Sequence, residues 1–276
     1  MRKSYSTGLE LVLCACEKEL LIVLTDDEEL ICANVWALQD RATELLAPSL
    51  KQMFALAGRS IADVRRIGCV RGPGSFTGTR LVLATAAALR RTTRAQLGAL
   101  DYLQALATTL AMREQLLYGR RLWILTHARR DLVHAALYQC YGPVIPCYAV
   151  QEVRLMSHAE AVAAVTATAE AEPHPVYAAG SALLRAPGLT AELEARGGGR
   201  VLTRLLPCPS IDALRLLGRH GDYFPRDVEP LYIRPCDAVE NLPSLSERMG
   251  RDAGESVREL DRLLAREPVE GTGLES

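Results

Sequence analysis

Arg71-Gly72-Pro73-Gly74-Ser75-Phe76-Thr77-Gly78-Thr79-Arg80 decides how this chain is read. It follows a short apolar run, Ile67-Gly68-Cys69-Val70, and precedes small and apolar residues from 81 to 89. That order predicts strand, tight loop, helix. Three glycines permit positive φ and close backbone approach, and Pro73 removes a donor and stiffens the turn. Ser75 and Thr77 can cap the first helical turn, whose amides lack intrahelical partners. Two readings stay open. Gly72, Gly74, Ser75, Thr77 and Gly78 can form an anion- or nucleotide-binding loop, because helix-end amides and the macrodipole favour negative charge. Alternatively, the glycines only let the helix pack close to the sheet. The spacing fits neither a Walker A loop nor the dinucleotide fingerprint.

Outward from this loop, apolar runs at 9–16, 20–25 and 30–35, separated by charged turns, predict an antiparallel meander. Residues 42–57 have helical periodicity. Pro48 should kink that helix or start it anew, and Gly58 should end it. Ser60 can cap a short turn before the strand at Ile67, and a further helix is expected over 102–112. The pattern then repeats. Strands are expected at 122–126, 132–138 and about 147–153. Ser157-His158-Ala159-Glu160 has capping-box spacing and opens a helix to about Ala169. A short strand at 175–179, a flexible loop at Arg196-Gly197-Gly198-Gly199-Arg200 and a helix from Ser210 to Leu217 complete the second half. The repetition suggests a duplicated α/β architecture. After Pro235 the sequence turns charged and glycine-containing: residues 244–276 hold five Arg and eight Asp or Glu. This reads as a partly disordered tail, dispensable for folding.

Composition narrows the function classes. Of 276 residues, 49% are hydrophobic and 24% charged, with net charge −1, so the whole molecule is not a polyanion binder. Between residues 59 and 94, however, eight Arg face a single Asp. That is either an RNA-facing patch or a set of solvated helix ends and loops. No apolar run is long enough to span a membrane and no signal-peptide core follows the N-terminus, so a cytoplasmic protein is expected. The eight cysteines form no Cys-x-x-Cys and no zinc-finger spacing. They read as small buried hydrophobes in a reducing compartment, with Cys14 and Cys16 on one face of a strand. Of the five histidines, only His127 and His134, either side of a turn, suggest a shared metal; exposed hairpin histidines are the alternative. No metal site is expected.

The string GPGSFTG-x-R after a short strand resembles the signature of the bacterial TsaB/YeaZ family, of the glycoprotease-like superfamily. The likeness extends over residues 9–234. Residues 9–24 look like the family's first hairpin, and 98–107 its "GVSxLxALA" segment. His127-Ala128-Arg129 stands where Asp-Ala-Arg is usual, and Glu229-Pro230-Leu231-Tyr232-Ile233-Arg234 resembles its closing "EPxYLR". The resemblance implies an α/β fold of two RNase H-like lobes, of the actin/Hsp70/sugar-kinase type. The first lobe would cover residues 1–112 and the second, smaller one 113–235, its final helix packing back on the first; 236–276 would be the tail.

A nucleotide-hydrolysing member of such a fold needs acidic residues at the ends of its first strands, to hold metal and orient water. The family's "LAIDTA" reads Leu11-Val12-Leu13-Cys14-Ala15-Cys16 here, placing Cys14 at the Asp and Ala15 at the Thr. With His127 in the second lobe, both acidic positions are gone, and magnesium prefers oxygen to thiol. The resemblance therefore implies a non-catalytic partner without cofactor. It would bind the catalytic TsaD-like subunit and, with the TsaE-like ATPase, support threonylcarbamoyl transfer to an adenosine beside the tRNA anticodon. It would touch tRNA only indirectly and pair with itself when alone. The alternative is an active nucleotide-dependent transferase or hydrolase. The helix over 79–91 carries no charge from 81 to 89, and such a helix is normally buried all round. The resemblance places the partner interface on it, at Arg80, Leu81, Leu83, Ala84, Ala87 and Ala88. The competing expectation is that helix 42–57 of the same chain covers this face.

Overall fold

Strand β1, Leu9–Cys14, is buried along its whole length, because both of its faces are apolar except at Glu10, whose carboxylate is paired with Arg66 (2.6 Å). Leu9, Leu11, Leu13 and Ala15 enter one core, whereas Val12, Cys14 and Cys16 enter another; this is the period of two of an extended chain. The computed structural model describes residues 8–37, 41–231 and 233, with Ser246, Asp252, Gly254, Glu255 and Arg258 beyond them. Contacts divide the chain into Met1–Ile233 and Arg234–Ser276, and every element below belongs to the first unit. The expectations for the tail fall outside the described residues.

Around β1 lie β2 (Glu19–Asp26), β3 (Glu29–Ala37), β4 (Val64–Val70) and β5 (Gln96–Leu100). The order is β5-β4-β1-β2-β3, with β1–β2 and β2–β3 antiparallel and β4 and β5 parallel to β1. Helix α1 (Ala42–Ala57) leads through a 3-10 turn (Ile61–Asp63) to β4, and α2 (Phe76–Thr93) links β4 to β5. After α3 (Tyr102–Arg113) the arrangement recurs. A second sheet holds β6 (Arg121–Arg129), β7 (Leu132–Gln139), β8 (Tyr148–Ser157), β9 (Val176–Ala179) and β10 (Val201–Arg204), in the order β10-β9-β6-β7-β8. Its strand directions match those of the first sheet. Both sheets thus have the RNase H-like order, each with parallel strands reached by helical crossovers.

In the second half α4 (His158–Ala171) leads to β9, and α5 (Ser181–Arg185) with α6 (Pro187–Gly197) leads to β10. The capping box at Ser157 and Glu160 forms as expected. Helix α7 (Ile211–His220) then returns to the first sheet, and β11 (Tyr223–Phe224) pairs with β5 at its edge. Apolar residues of α3 and α7 join both sheets in one core: Leu103, Leu106 and Leu110 with Val12 and Val23 on one side, and Leu122, Ile124 and Ala136 on the other. Two further cores lie on the outer faces, under α1 and α2 and under α4 and α6.

Several local expectations are corrected. Helix α1 runs as one element through Pro48; Leu46, Ser49 and Leu50 around the proline are buried, so packing overrides its propensity. Residues 196–200 are the last turn and cap of α6, with Gly198 left-handed at φ 51. His134 lies opposite Thr126 in the β6–β7 register, and His127 opposite Val133. The two histidines therefore face opposite sides of the sheet, which removes the shared-metal reading. Of the eight arginines between 59 and 94, Arg59, Arg66, Arg71, Arg90 and Arg91 are each paired with a carboxylate. A run that is basic in sequence is thereby largely neutralised in space. Among the described residues, no helix is long and apolar enough to cross a membrane.

Candidate functional site

The glycine loop connects β4 to α2 at the ends of the parallel strands. Its backbone is tied on both sides: Arg71 N–H donates to the Leu100 carbonyl (2.9 Å), and Gly72 O accepts from Tyr102 N–H (3.0 Å). Gly72 has φ 111, which requires glycine. Ser75 is the N-cap, its Oγ accepting from Gly78 N–H (3.2 Å); Thr77 lies within the helix.

The turn after β1 fills the loop. Ser75 N–H donates to the Cys16 carbonyl. A Cβ on Gly74 would stand 2.1 Å from that same oxygen, and one on Gly78 2.0 Å from the carbonyl oxygen of Ala15. The glycines at 74 and 78 are therefore explained by the close approach of this loop to the β1–β2 turn. Gly72 and Gly78 are buried, while Gly74, Ser75 and Thr77 are exposed.

Helix α2 presents two different sides. Val82, Leu83 and Ala86 turn into the core over the first sheet. Arg80, Ala84 and Ala88 are exposed at intervals of four, in line with Phe76, and Ala87 and Leu81 are half-buried. Leu83, expected on the outward face, is only 8% exposed and belongs to the core; it lies one residue from Ala84, about 100° around the helix. Helix α1 packs against α2 yet leaves Ala84 and Ala88 uncovered. Arg80 caps this row, its guanidinium carbon 3.7 Å from the centroid of the Phe76 ring.

A second cluster forms where the two sheets meet. Cys14, at the end of β1, is fully buried, and contact with Cys16 together with burial pushes its thiol well up. His127, at the corresponding end of β6, is half-buried. Burial first, then Arg185 and His158, lowers its pKa and favours the neutral ring. Between them stands a residue that sequence reasoning passed over as a turn. Glu17 accepts hydrogen bonds from the Tyr102 hydroxyl of α3 (3.0 Å) and from the Ser181 hydroxyl of α5. Ser181 Oγ in turn accepts from His127 N–H (3.0 Å). Burial raises the Glu17 pKa above 4.5, against the lowering effect of these bonds and of Arg185. Nearby, Arg71 pairs with Asp101 (2.8 Å). Glu17 thus ties the first hairpin to the second sheet's layer. The only sequence signal was a charged residue directly after the apolar run 11–16. Among the described residues, no group of three His, Cys, Asp or Glu gathers that suits a metal ion.

Comparisons with known proteins agree with this architecture. A family model described as "TsaD: tRNA N6-adenosine threonylcarbamoyltransferase" matches residues 38–180, more than half of the chain. None of the curated proteins matches the sequence. Among solved structures, an uncharacterized protein with similarity to peptidase YEAZ from Pseudomonas aeruginosa superposes with TM-score 0.67 at 21% identity, covering 82% of this chain and 100% of that one. YeaZ from Pseudomonas aeruginosa gives TM-score 0.63 at 20% identity, covering 82% and 99%. With the matched segment running from the end of the first meander to the end of β9, and two repeated sheets arranged as in YeaZ, the chain belongs to the TsaD, or tRNA N6-adenosine threonylcarbamoyltransferase, family and has the YeaZ (TsaB) fold.

Proposed function

We propose that this chain is a non-catalytic member of its family, a TsaB-type scaffold in the complex that places threonylcarbamoyl on an adenosine beside the tRNA anticodon. It acts by binding the TsaD-like catalytic subunit through the outward row of α2, Arg80, Ala84, Ala87 and Ala88. The TsaE-like ATPase and tRNA meet it only within that complex. Alone, the same face joins two copies.

The observation that carries this reading is the chemistry at the two strand ends. Phosphoryl or carbamoyl transfer in this fold relies on oxygen ligands that hold magnesium and polarise the transferred group. Here the first strand ends in a buried, protonated thiol, Cys14, and the equivalent strand in a neutral imidazole, His127. The loop that would cradle phosphates is closed by the Cys16 and Ala15 carbonyls, whose negative ends repel an anion. What remains is a helix whose small exposed residues permit close approach of another backbone.

A second reading, an active nucleotide-dependent transferase or hydrolase, draws on Glu17, a carboxyl between the halves. Its oxygens are already engaged by Tyr102 and Ser181, and burial favours its protonated form, so it suits tying the halves better than holding a cation. The experiment is to co-express the chain with a TsaD-like subunit, isolate the complex, and assay threonylcarbamoyl transfer to tRNA for the chain, the subunit and the pair. Transfer by the pair and none by the chain alone is the expected result. Turnover by the purified chain with magnesium ATP, lost on altering Gly74 or Gly78, would establish the second reading.

A further inference from the structure

Strands β7 and β8 form a hairpin whose last registered pairs are Tyr138 with Ala149 and Gln139 with Tyr148. The next pair outward is Cys140 with Cys147, one at each root of the connecting loop 141–146. Directly opposed residues of an antiparallel pair have Cα atoms about 4.5–5.5 Å apart, inside the roughly 4.4–6.8 Å that a disulfide spans. Both side chains are buried in the core shared by the two sheets, and each is the first influence on the other's titration. Cys140 Sγ accepts from the Gly142 N–H (3.3 Å), and its S–H donates to the Leu116 carbonyl (3.3 Å). Cys147 is fixed by its N–H donating to Thr108 Oγ1 (3.1 Å) and its carbonyl accepting from Gln104 (2.9 Å).

We infer that Cys140 and Cys147 are a reversible dithiol, converted by peroxide into a disulfide that closes the 141–146 loop. The electrostatics agree with the geometry. Donation from the Cys147 thiol and from the Gly142 amide lowers Cys140 below the usual thiol range, and the same contact with burial raises Cys147. The thiolate is the nucleophile in such chemistry. Cys140 attacks one oxygen of hydrogen peroxide, forming a sulfenic acid and releasing hydroxide. The Cys147 sulfur then displaces the sulfenic oxygen, which leaves as water once the Cys147 proton is transferred. In sum, two thiols and one peroxide give one disulfide and two waters, and a dithiol reductant reverses the change. Both residues are buried, so the oxidant enters when the loop opens; Gly142, at φ 109, allows that loop its sharp turn. Residues of this loop and its neighbours, Val144 and Tyr148, are exposed, so the crosslink would stiffen a surface segment.

Cys14 and Cys16 provide an internal comparison: their contact and burial push Cys14 up, outweighing a backbone hydrogen bond from Cys16. The test uses the full-length chain treated with millimolar hydrogen peroxide, quenched by alkylation in denaturant and mapped by mass spectrometry. The expected product is a peptide pair joined through Cys140 and Cys147, about ten-fold faster than modification at any other cysteine, and removed by dithiothreitol. Cys147→Ala should abolish the crosslink and leave Cys140 trappable as a sulfenic acid by dimedone. The wild-type map alone decides the matter if that variant does not fold. A crosslink elsewhere, or Cys140 and Cys147 still alkylated after other thiols have reacted, would overturn the inference.

Discussion

Gly78 and Gly188 both lie in the first turn of a helix, in α2 and α6, and a Cβ added to each should act in opposite directions. In an exposed helix interior, glycine costs about 1 kcal/mol relative to alanine, so propensity alone predicts that both Gly→Ala variants are stabilised. At Gly188 the added carbon meets nothing within 4 Å, and a gain of about 0.5–1 kcal/mol is expected, reduced because first-turn residues contribute less. At Gly78 it would sit 2.0 Å from the Ala15 carbonyl oxygen and 3.3 Å from the Ala15 Cβ. Ordinary contact begins near 3.4 Å, so α2 and the end of β1 must separate by more than an ångström. That displacement breaks the Ser75-to-Cys16 hydrogen bond and opens the core around Val82. Overpacking of this kind costs about 1–3 kcal/mol, and a lost buried hydrogen bond adds about 1 kcal/mol. The net expectation for Gly78→Ala is about 2–3 kcal/mol of destabilisation. For a chain this long, about 2–4 °C accompanies each kcal/mol, so a melting temperature lower by about 4–12 °C should be seen by calorimetry or circular dichroism. A Gly78→Ala variant as stable as the parent, or more so, would refute the close-packing account of the loop and return the glycines to an anion-binding role.

Glu17→Gln tests the buried carboxyl. Its raised pKa means that the folded state holds a proton which the unfolded state releases, so the contribution of Glu17 to stability is greatest below pH 4.5 and falls as pH rises toward the folded value. Glutamine removes that fall, and the loss of melting temperature between about pH 4 and pH 7 should shrink; it will not vanish, because burial also raises Glu10. An unchanged pH profile would contradict the placement of Glu17. Tyr223→Phe removes a hydroxyl that reaches Glu10 Oε1 and the Gly218 carbonyl, both at 2.9 Å. Hydrogen bonds to charged groups contribute about 1.5–3 kcal/mol, and a denaturation midpoint lowered accordingly, most at neutral pH, is expected; no change would mean that β11 is not held through this network.

Much of the fold could be read from the chain because its strongest signals are local. The three-strand meander, the bounds 42–57 of α1, the Ser60 and Ser75 caps and the Ser157–Glu160 box each depend on a few neighbouring residues, and each appears where the pattern put it. The elements that escaped are short or supported from afar. Strand β5, with sequence Gln-Leu-Gly-Ala-Leu, has a central Gly98 whose added Cβ would meet Tyr223 at 2.8 Å, so its reason lies over a hundred residues downstream. Strands β10 and β11 are four and two residues long, too short for periodicity to register. Helices α5 and α6 are interrupted at Ala186-Pro187. At the site, the loop was legible but the outward face of α2 was not, since Leu83, expected there, is in the core; the choice between anion cradle and packing turn depended on where Ala15 and Cys16 lie. Glu17 was invisible because its partners, Tyr102 and Ser181, are 85 and 164 residues away. The arginine run stayed open between two readings for the same reason: Asp26, Glu10, Asp101 and Asp227, which pair with it, are scattered along the chain.

The central claim is that the outward row of α2 is a docking surface, and Ala84→Arg tests it most directly. Ala84 is exposed and Ala86, two positions on, is fully buried; at about 100° per residue they lie on opposite sides of the helix. Arginine at Ala86 buries an unpaired charge and should unfold the protein or cost it several kcal/mol, which calibrates the assay. Arginine at Ala84 meets solvent in the single chain and should leave the melting temperature within about 2 °C of the parent, since exposed substitutions rarely exceed 0.5 kcal/mol. Mass in solution, measured for the chain alone and mixed with the TsaD-like subunit, should then show a folded Ala84→Arg monomer that associates with neither a second copy nor the subunit. A folded Ala84→Arg variant that still assembles as the parent does would place the interface elsewhere and contradict the account.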